Sequence, residues 1–82
     1  MEDFELLLMS WTQLTALEMI DPHDEHVKEK QTIEEALLAD FDITSPKLIN
    51  RTLTVYKVSY SQKEEIHEIS FGAEEVESIY DL

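Results

Sequence analysis

The sequence predicts a small α+β domain, elements in the order α-α-β-β-α, with an antiparallel β-hairpin packed against helices. Two observations and one physical constraint carry this. Apolar residues recur every three or four positions from Phe4 to Leu17, and hydrophobic and polar residues alternate from Thr52 to Tyr60. A lone hairpin is marginal in water, so these strands need helices on one face.

The first helix is expected over Phe4 to Ile20, with Phe4, Leu7, Leu8, Trp11, Leu14 and Leu17 as its buried stripe. Glu2, Asp3 and Glu5 lie at its positive end, where carboxylates interact favourably with the helix dipole. Pro22 forces Asp21 out of helical geometry and stops the helix near Ile20. Asp21 would cap a following turn with Pro22 inside it, but His23 to Gln31 holds only Val27 as an apolar anchor, so 22–31 reads as helix or polar loop. A second helix is expected from Thr32, where Thr-Ile-Glu-Glu has the form of a capping box, with Ile33, Ala36, Leu37 and Phe41 buried. Asp42 to Pro46 reads as a connection. Thr52 to Tyr60 and Ile66 to Phe71 are the two strands, joined by a turn over Ser61 to Glu64. Gly72 ends the second, and Ala73, Val76, Ile79 and Tyr80 suggest a short terminal helix.

Composition narrows the function classes. The 82 residues form one acidic domain, 1–82, and a chain of this size buries only about 60–65% of its unfolded surface, leaving little room for a deep pocket. Nineteen acids against six bases give a formal charge of −13, a self-repulsion that the 43% apolar content must offset. With no cysteine there is no disulfide framework and no thiolate chemistry, which fits a reducing, cytoplasmic setting. The N-terminus begins with acids where a secretory signal has bases, and the longest apolar run, Leu6 to Met9, is too short to span a bilayer. An acidic surface repels anionic lipid and nucleic acid, so neither is expected as a direct ligand.

No catalytic or cofactor site is expected. A single glycine does not build a phosphate-cradling loop. His67 and Glu68 adjoin in a strand and so point to opposite faces. His23 and His26 share a helix side, with Asp21 or Asp24 nearby, but two histidines without a third strong ligand are an incomplete metal set, and the plainer reading is a solvated helix start.

The acids themselves remain. They are densest at Glu18, Asp21, Asp24, Glu25 and Glu29, and again at Glu64, Glu65, Glu68, Glu74, Glu75, Glu77 and Asp81. Carboxylates three or four apart on a helix lie about 5–6 Å from one another, while duplex DNA carries one charge per roughly 1.7 Å of axis. A folded array of carboxylates can therefore imitate phosphates. In size and charge the chain resembles the small acidic DNA mimics that phages use against restriction, repair and CRISPR systems. The resemblance implies an anti-restriction or anti-CRISPR type of inhibitor that blocks the basic nucleic-acid-binding surface of a partner protein. The rival expectation is an adaptor, antitoxin or assembly subunit that binds through apolar anchors such as Trp11, Phe71 or Tyr80. Leu6, Met9 and Ile20 lie off the main stripe of the first helix, which leads to the further expectation of a homodimer.

Overall fold

The computed structural model describes residues 3–78. Two long helices, α1 (Asp3–Ile20) and α2 (Asp24–Phe41), precede three strands, β1 (Ile43–Arg51), β2 (Val55–Gln62) and β3 (Glu65–Gly72), and a short helix α3 (Ala73–Glu77). The strands form an antiparallel sheet in the order β1-β2-β3, and α1 and α2 pack against each other over one of its faces. The α+β class holds, and the order gains one strand.

That strand is β1, which occupies the segment expected to be a connection. Ser45-Pro46 has the composition of a turn, yet β1 is an edge strand, where a missing N–H costs no ladder bond. The pair falls where the β1–β2 register slips between Thr44 and Lys47, and Ser45 takes a φ of 53°. Ile43, at 1% exposure, anchors the start of the strand in the core. Residues 52–54, expected in the next strand, instead make a tight connection: the Thr52 amide donates to the Val55 carbonyl at 2.8 Å, and the Thr52 hydroxyl accepts from the Val55 amide at 3.0 Å. Between β2 and β3 the turn shrinks to Lys63 and Glu64, with φ of 50° and 67°. Both signs match a two-residue primed turn, formed here without the usual Asn or Gly.

Helix α2 runs unbroken for 18 residues and takes in both the 24–31 segment and the helix expected to start at Thr32. Its N-cap is His23, whose Nδ1 accepts from the Glu25 amide at 3.4 Å, so Asp21 is not the cap. Thr32 is interior, and its hydroxyl donates to the Lys28 carbonyl at 3.1 Å instead of capping. The polar run before Thr32 is rich in Glu, Lys and Gln, good helix formers that need no apolar face to stay helical once the adjoining half is docked. Asp42, in the left-handed region at φ 57°, closes α2 with its amide on the Leu38 carbonyl and turns the chain directly into β1. At α3 the described residues end at Ser78, so Ile79 and Tyr80 lie outside them.

The core lies between sheet and helices. Leu8, Leu37, Tyr56, Val58 and Val76 are fully buried, joined by Trp11 and Phe71. Tyr56, Val58 and Tyr60 face the helices from β2, opposite Phe71, Ile69 and His67 of β3. The outward alternates, among them Lys57, Ser59 and Glu68, are polar or charged, as suits an antiparallel sheet with one face solvated. Tyr60 packs between the Phe4 and His67 rings, 6.2 and 5.5 Å away, and burial followed by the nearby Glu5 carboxylate raises its phenol above the ordinary value of 10.0.

Candidate functional site

The topology divides the expected acidic residues among three places. Glu18 at the end of α1, Asp21 in the link, and Asp24, Glu25 and Glu29 on the first half of α2 share the tip of the helical hairpin. Glu74, Glu75 and Glu77 lie on α3, which packs beside α1 through a hydrogen bond from Gln13 Nε2 to the Glu75 carbonyl at 3.1 Å. Glu64 and Glu65 sit at the other end of β3, removed from α3 by a strand that rises about 3.3 Å per residue. The stretch Glu64 to Glu77 is thus not one surface. Asp81 lies outside the described residues.

Nor are all these carboxylates free to meet a partner. Glu18 is half-buried, with Oε2 3.4 Å from Lys30 Nζ. That ammonium lies 4.8 Å over the Trp11 ring, and Trp11 Nε1 donates to Glu34 Oε1 at 3.1 Å, so Glu18 belongs to an internal network joining α1 and α2. Glu77 accepts from the Tyr56 hydroxyl at 3.0 Å and ties α3 to β2. Glu68 pairs with Lys57 at 3.5 Å across the solvated sheet face. Glu65 approaches His67 Nε2 at 3.6 Å. Asp21, Asp24, Glu25, Glu29, Glu64, Glu74 and Glu75 are exposed.

What the chain order hides is a segregation of charge by layer. The helices and their connections, residues 3–42 and 73–77, hold fourteen acids and two bases, Lys28 and Lys30. The sheet segment, residues 43–72, holds three acids and four bases, Lys47, Arg51, Lys57 and Lys63. Nearly all the excess negative charge therefore sits on one side of the fold, and the sheet is close to neutral. The signal was present in the sequence as the run of bases between 47 and 63, but it acquires meaning only once 43–51 is known to be a strand.

The apolar anchors behave differently from the rival expectation. Trp11 and Phe71 are each 4% exposed and belong to the core, while Tyr80 is outside the described residues. Met9 is buried, whereas Leu6 and Ile20 are exposed, as are Ile66 and above all Leu53 at the β1–β2 connection. His23 and His26 lie with ring centroids 5.8 Å apart, and among the described residues no three His, Asp or Glu side chains gather where an ion would need them. Among the same residues no helix is long and apolar enough to cross a membrane.

The chain matches no protein-family model, and neither curated proteins nor solved structures give a match.

The layered charge has a direct consequence for stability. At about 10 mM salt the Debye length of roughly 30 Å is comparable to the molecule's 36 × 27 × 21 Å extents, so the helical carboxylates repel one another across the whole fold. Raising salt to about 0.5 M should lift the melting temperature by at least about 4 °C, the equivalent of some 1 kcal/mol of relieved repulsion in a domain this small. Thermal unfolding followed by circular dichroism measures it, and a flat or falling profile would contradict an unbalanced acidic layer.

Proposed function

We propose that this protein is a non-catalytic, acidic protein-binding inhibitor whose helical layer occupies a basic, nucleic-acid-binding surface on a partner protein. The segregation of charge supports this reading most: fourteen acids against two bases on the helical side, and near balance on the sheet. A field of one sign over one face speeds encounter with an oppositely charged groove and orients the docking. Asp24, Glu25 and Glu29 project from α2 as exposed carboxylates in its first two turns, the kind of array that can stand in for phosphates. The sheet side, with Lys47, Lys57 and Lys63, would face away. Nucleic acid and anionic membrane are not direct ligands in this reading, and the compartment is cytoplasmic, where the partner's nucleic-acid chemistry takes place.

A second reading has its own support. Leu53 at 99% and Ile66 at 78% exposure are apolar side chains with no cover in the fold, as expected of a module that binds an adaptor or assembly partner through apolar contacts. Competition separates the two. A partner is first captured by pull-down and identified by mass spectrometry. Its nucleic-acid ligand is then titrated against this protein. The proposal expects mutually exclusive binding that weakens with salt. Simultaneous binding with undiminished affinities would replace mimicry at a shared site with the interaction-module reading.

A further inference from the structure

The layer that carries the excess charge contains one element almost without it. From Leu6 to Leu17 α1 has no charged residue, and apolar residues occur on every side of it. A helix of that composition is ordinarily covered all round. Here the sheet, α2 and α3 cover three sides, and an outward stripe built from Leu6, Ser10, Gln13, Leu17 and Ile20, spaced at three and four, is left partly open, with Leu6 at 53% and Ile20 at 62% exposure.

Two shallow clefts flank the stripe and meet at Gln13. One, of ≈ 410 Å³, lies between α1 and α2, where Leu14 and Ile33 give it an apolar lining and Glu29 stands at its margin. The other, of ≈ 470 Å³, lies between α1 and α3, with Leu6 and Met9 opposite Glu74 and Glu75. All three carboxylates are exposed. The result is an open strip about 21 Å long, at 1.5 Å per residue from Leu6 to Ile20, apolar at Leu6, Leu17 and Ile20 with Ser10 and Gln13 between them, and with acids on both margins of its Leu6–Leu14 half.

We propose that this strip receives a basic amphipathic helix of a partner protein, about four turns long, with apolar residues at i, i+3, i+4 and i+7 seated along α1 and Lys or Arg on its flanks meeting Glu29, Glu74 and Glu75. Charge decides the occupant. A second copy of this chain, laid α1 against α1, would bring the same bordering carboxylates of both molecules together, whereas a basic helix neutralises them on both margins. The inference rests on the reading of a basic partner and specifies the form in which that partner is gripped.

The probes are three labelled 15-residue helical peptides: one with leucines at the stated spacing flanked by lysines, one scrambled with the same composition, and one with the lysines replaced by glutamates. Anisotropy titration with the full chain should show binding of the patterned peptide at least tenfold tighter than the scrambled one, and none by the acidic one. Leu6→Ser with Ile20→Ser, two exposed sites, should lower that affinity about tenfold while circular dichroism stays unchanged. Glu29→Gln with Glu74→Gln and Glu75→Gln should lower it similarly and flatten its salt dependence.

Equal binding of patterned and scrambled peptides would overturn the strip and leave the basic-partner reading standing on the field alone. Failure of both basic peptides would overturn both. If neither binds and sedimentation shows dimers abolished by the Leu6 and Ile20 substitutions, a second copy is the occupant and the proposal is wrong. It is equally wrong if peptide binding fails and nuclear Overhauser contacts in the free full chain join Leu6 to residues 79–82.

Discussion

Leu37→Ala is expected to remove about 3 kcal/mol of stability, within the 2–5 kcal/mol range for deleting a buried leucine side chain. Leu37 is fully buried and is the one residue of α2 so placed, because the first half of that helix is solvated and Ile33 and Phe41 are only partly covered. It joins the core cluster formed with residues of α1 and the sheet. A domain of this length has roughly 4–12 kcal/mol in total at 0.05–0.15 kcal/mol per residue, so the loss would leave a large unfolded fraction at modest urea. Trp11 is the sole tryptophan, and its indole is bonded to Glu34 of α2, so its emission reports the detachment directly. Leu38→Ala, one position along on a 53% exposed side chain, should stay within about 0.5 kcal/mol of the parent. Equal losses at the two leucines would mean that α2 docks on a different face.

Charge reversal on the helical layer should cripple partner binding, and reversal on the sheet should not. Asp24→Lys, Glu25→Lys and Glu29→Lys together, and Glu64→Lys, Glu65→Lys and Glu68→Lys together, each change the net charge by the same amount. They differ in which side of the molecule loses its acids, the strand set also giving up the exposed Glu68–Lys57 pair. The α2 set is expected to slow association by about ten- to hundredfold, since steering can raise encounter rates by that much or more, and the strand set by less than about threefold. Glu77 is left intact because its bond to Tyr56 would confound a binding defect with a folding one. The α2 set relieves self-repulsion but also puts lysines in the positive first turn of α2, where Asp24 and Glu25 interact favourably with the helix dipole, so the two effects oppose and its melting temperature should stay within about 4 °C of the parent while binding falls. Stopped-flow association with the captured partner measures the rates. Equal slowing by both sets would assign the effect to net charge alone, and no slowing by either would remove the acidic face from the interaction.

Wherever a periodic pattern of side chains met an unambiguous boundary, the sequence determined the structure by itself. The helix α1 and its stop before Pro22 appear where the spacing and the proline's effect on Asp21 put them, but its expected buried stripe holds only in part: Leu8, Trp11 and Leu14 are buried, Leu17 turns to the outward side and Met9 goes inside, because neighbours cover α1 on several sides. Leu37 is buried in period with Ile33 and Phe41. The β2–β3 hairpin follows from alternation, and the charge and apolar content bound the class of molecule. Tertiary structure decided the remainder, because the same local chemistry has more than one outcome. Ser45-Pro46 makes a turn in isolation and an edge-strand bulge once β2 offers a ladder to pair with. Thr32 suits a helix start until the polar residues before it become the free end of a docked helix. The acids after Glu64 are neighbours along the chain, yet an extended strand at about 3.3 Å per residue carries Glu64 and Glu65 away from Glu74 and Glu75. That strand, together with the unforeseen β1 and its bases, is why the acidic face is a property of layers and not of chain segments: side chains far apart in sequence are brought to one side only by the packing of α1, α2 and α3 on the sheet.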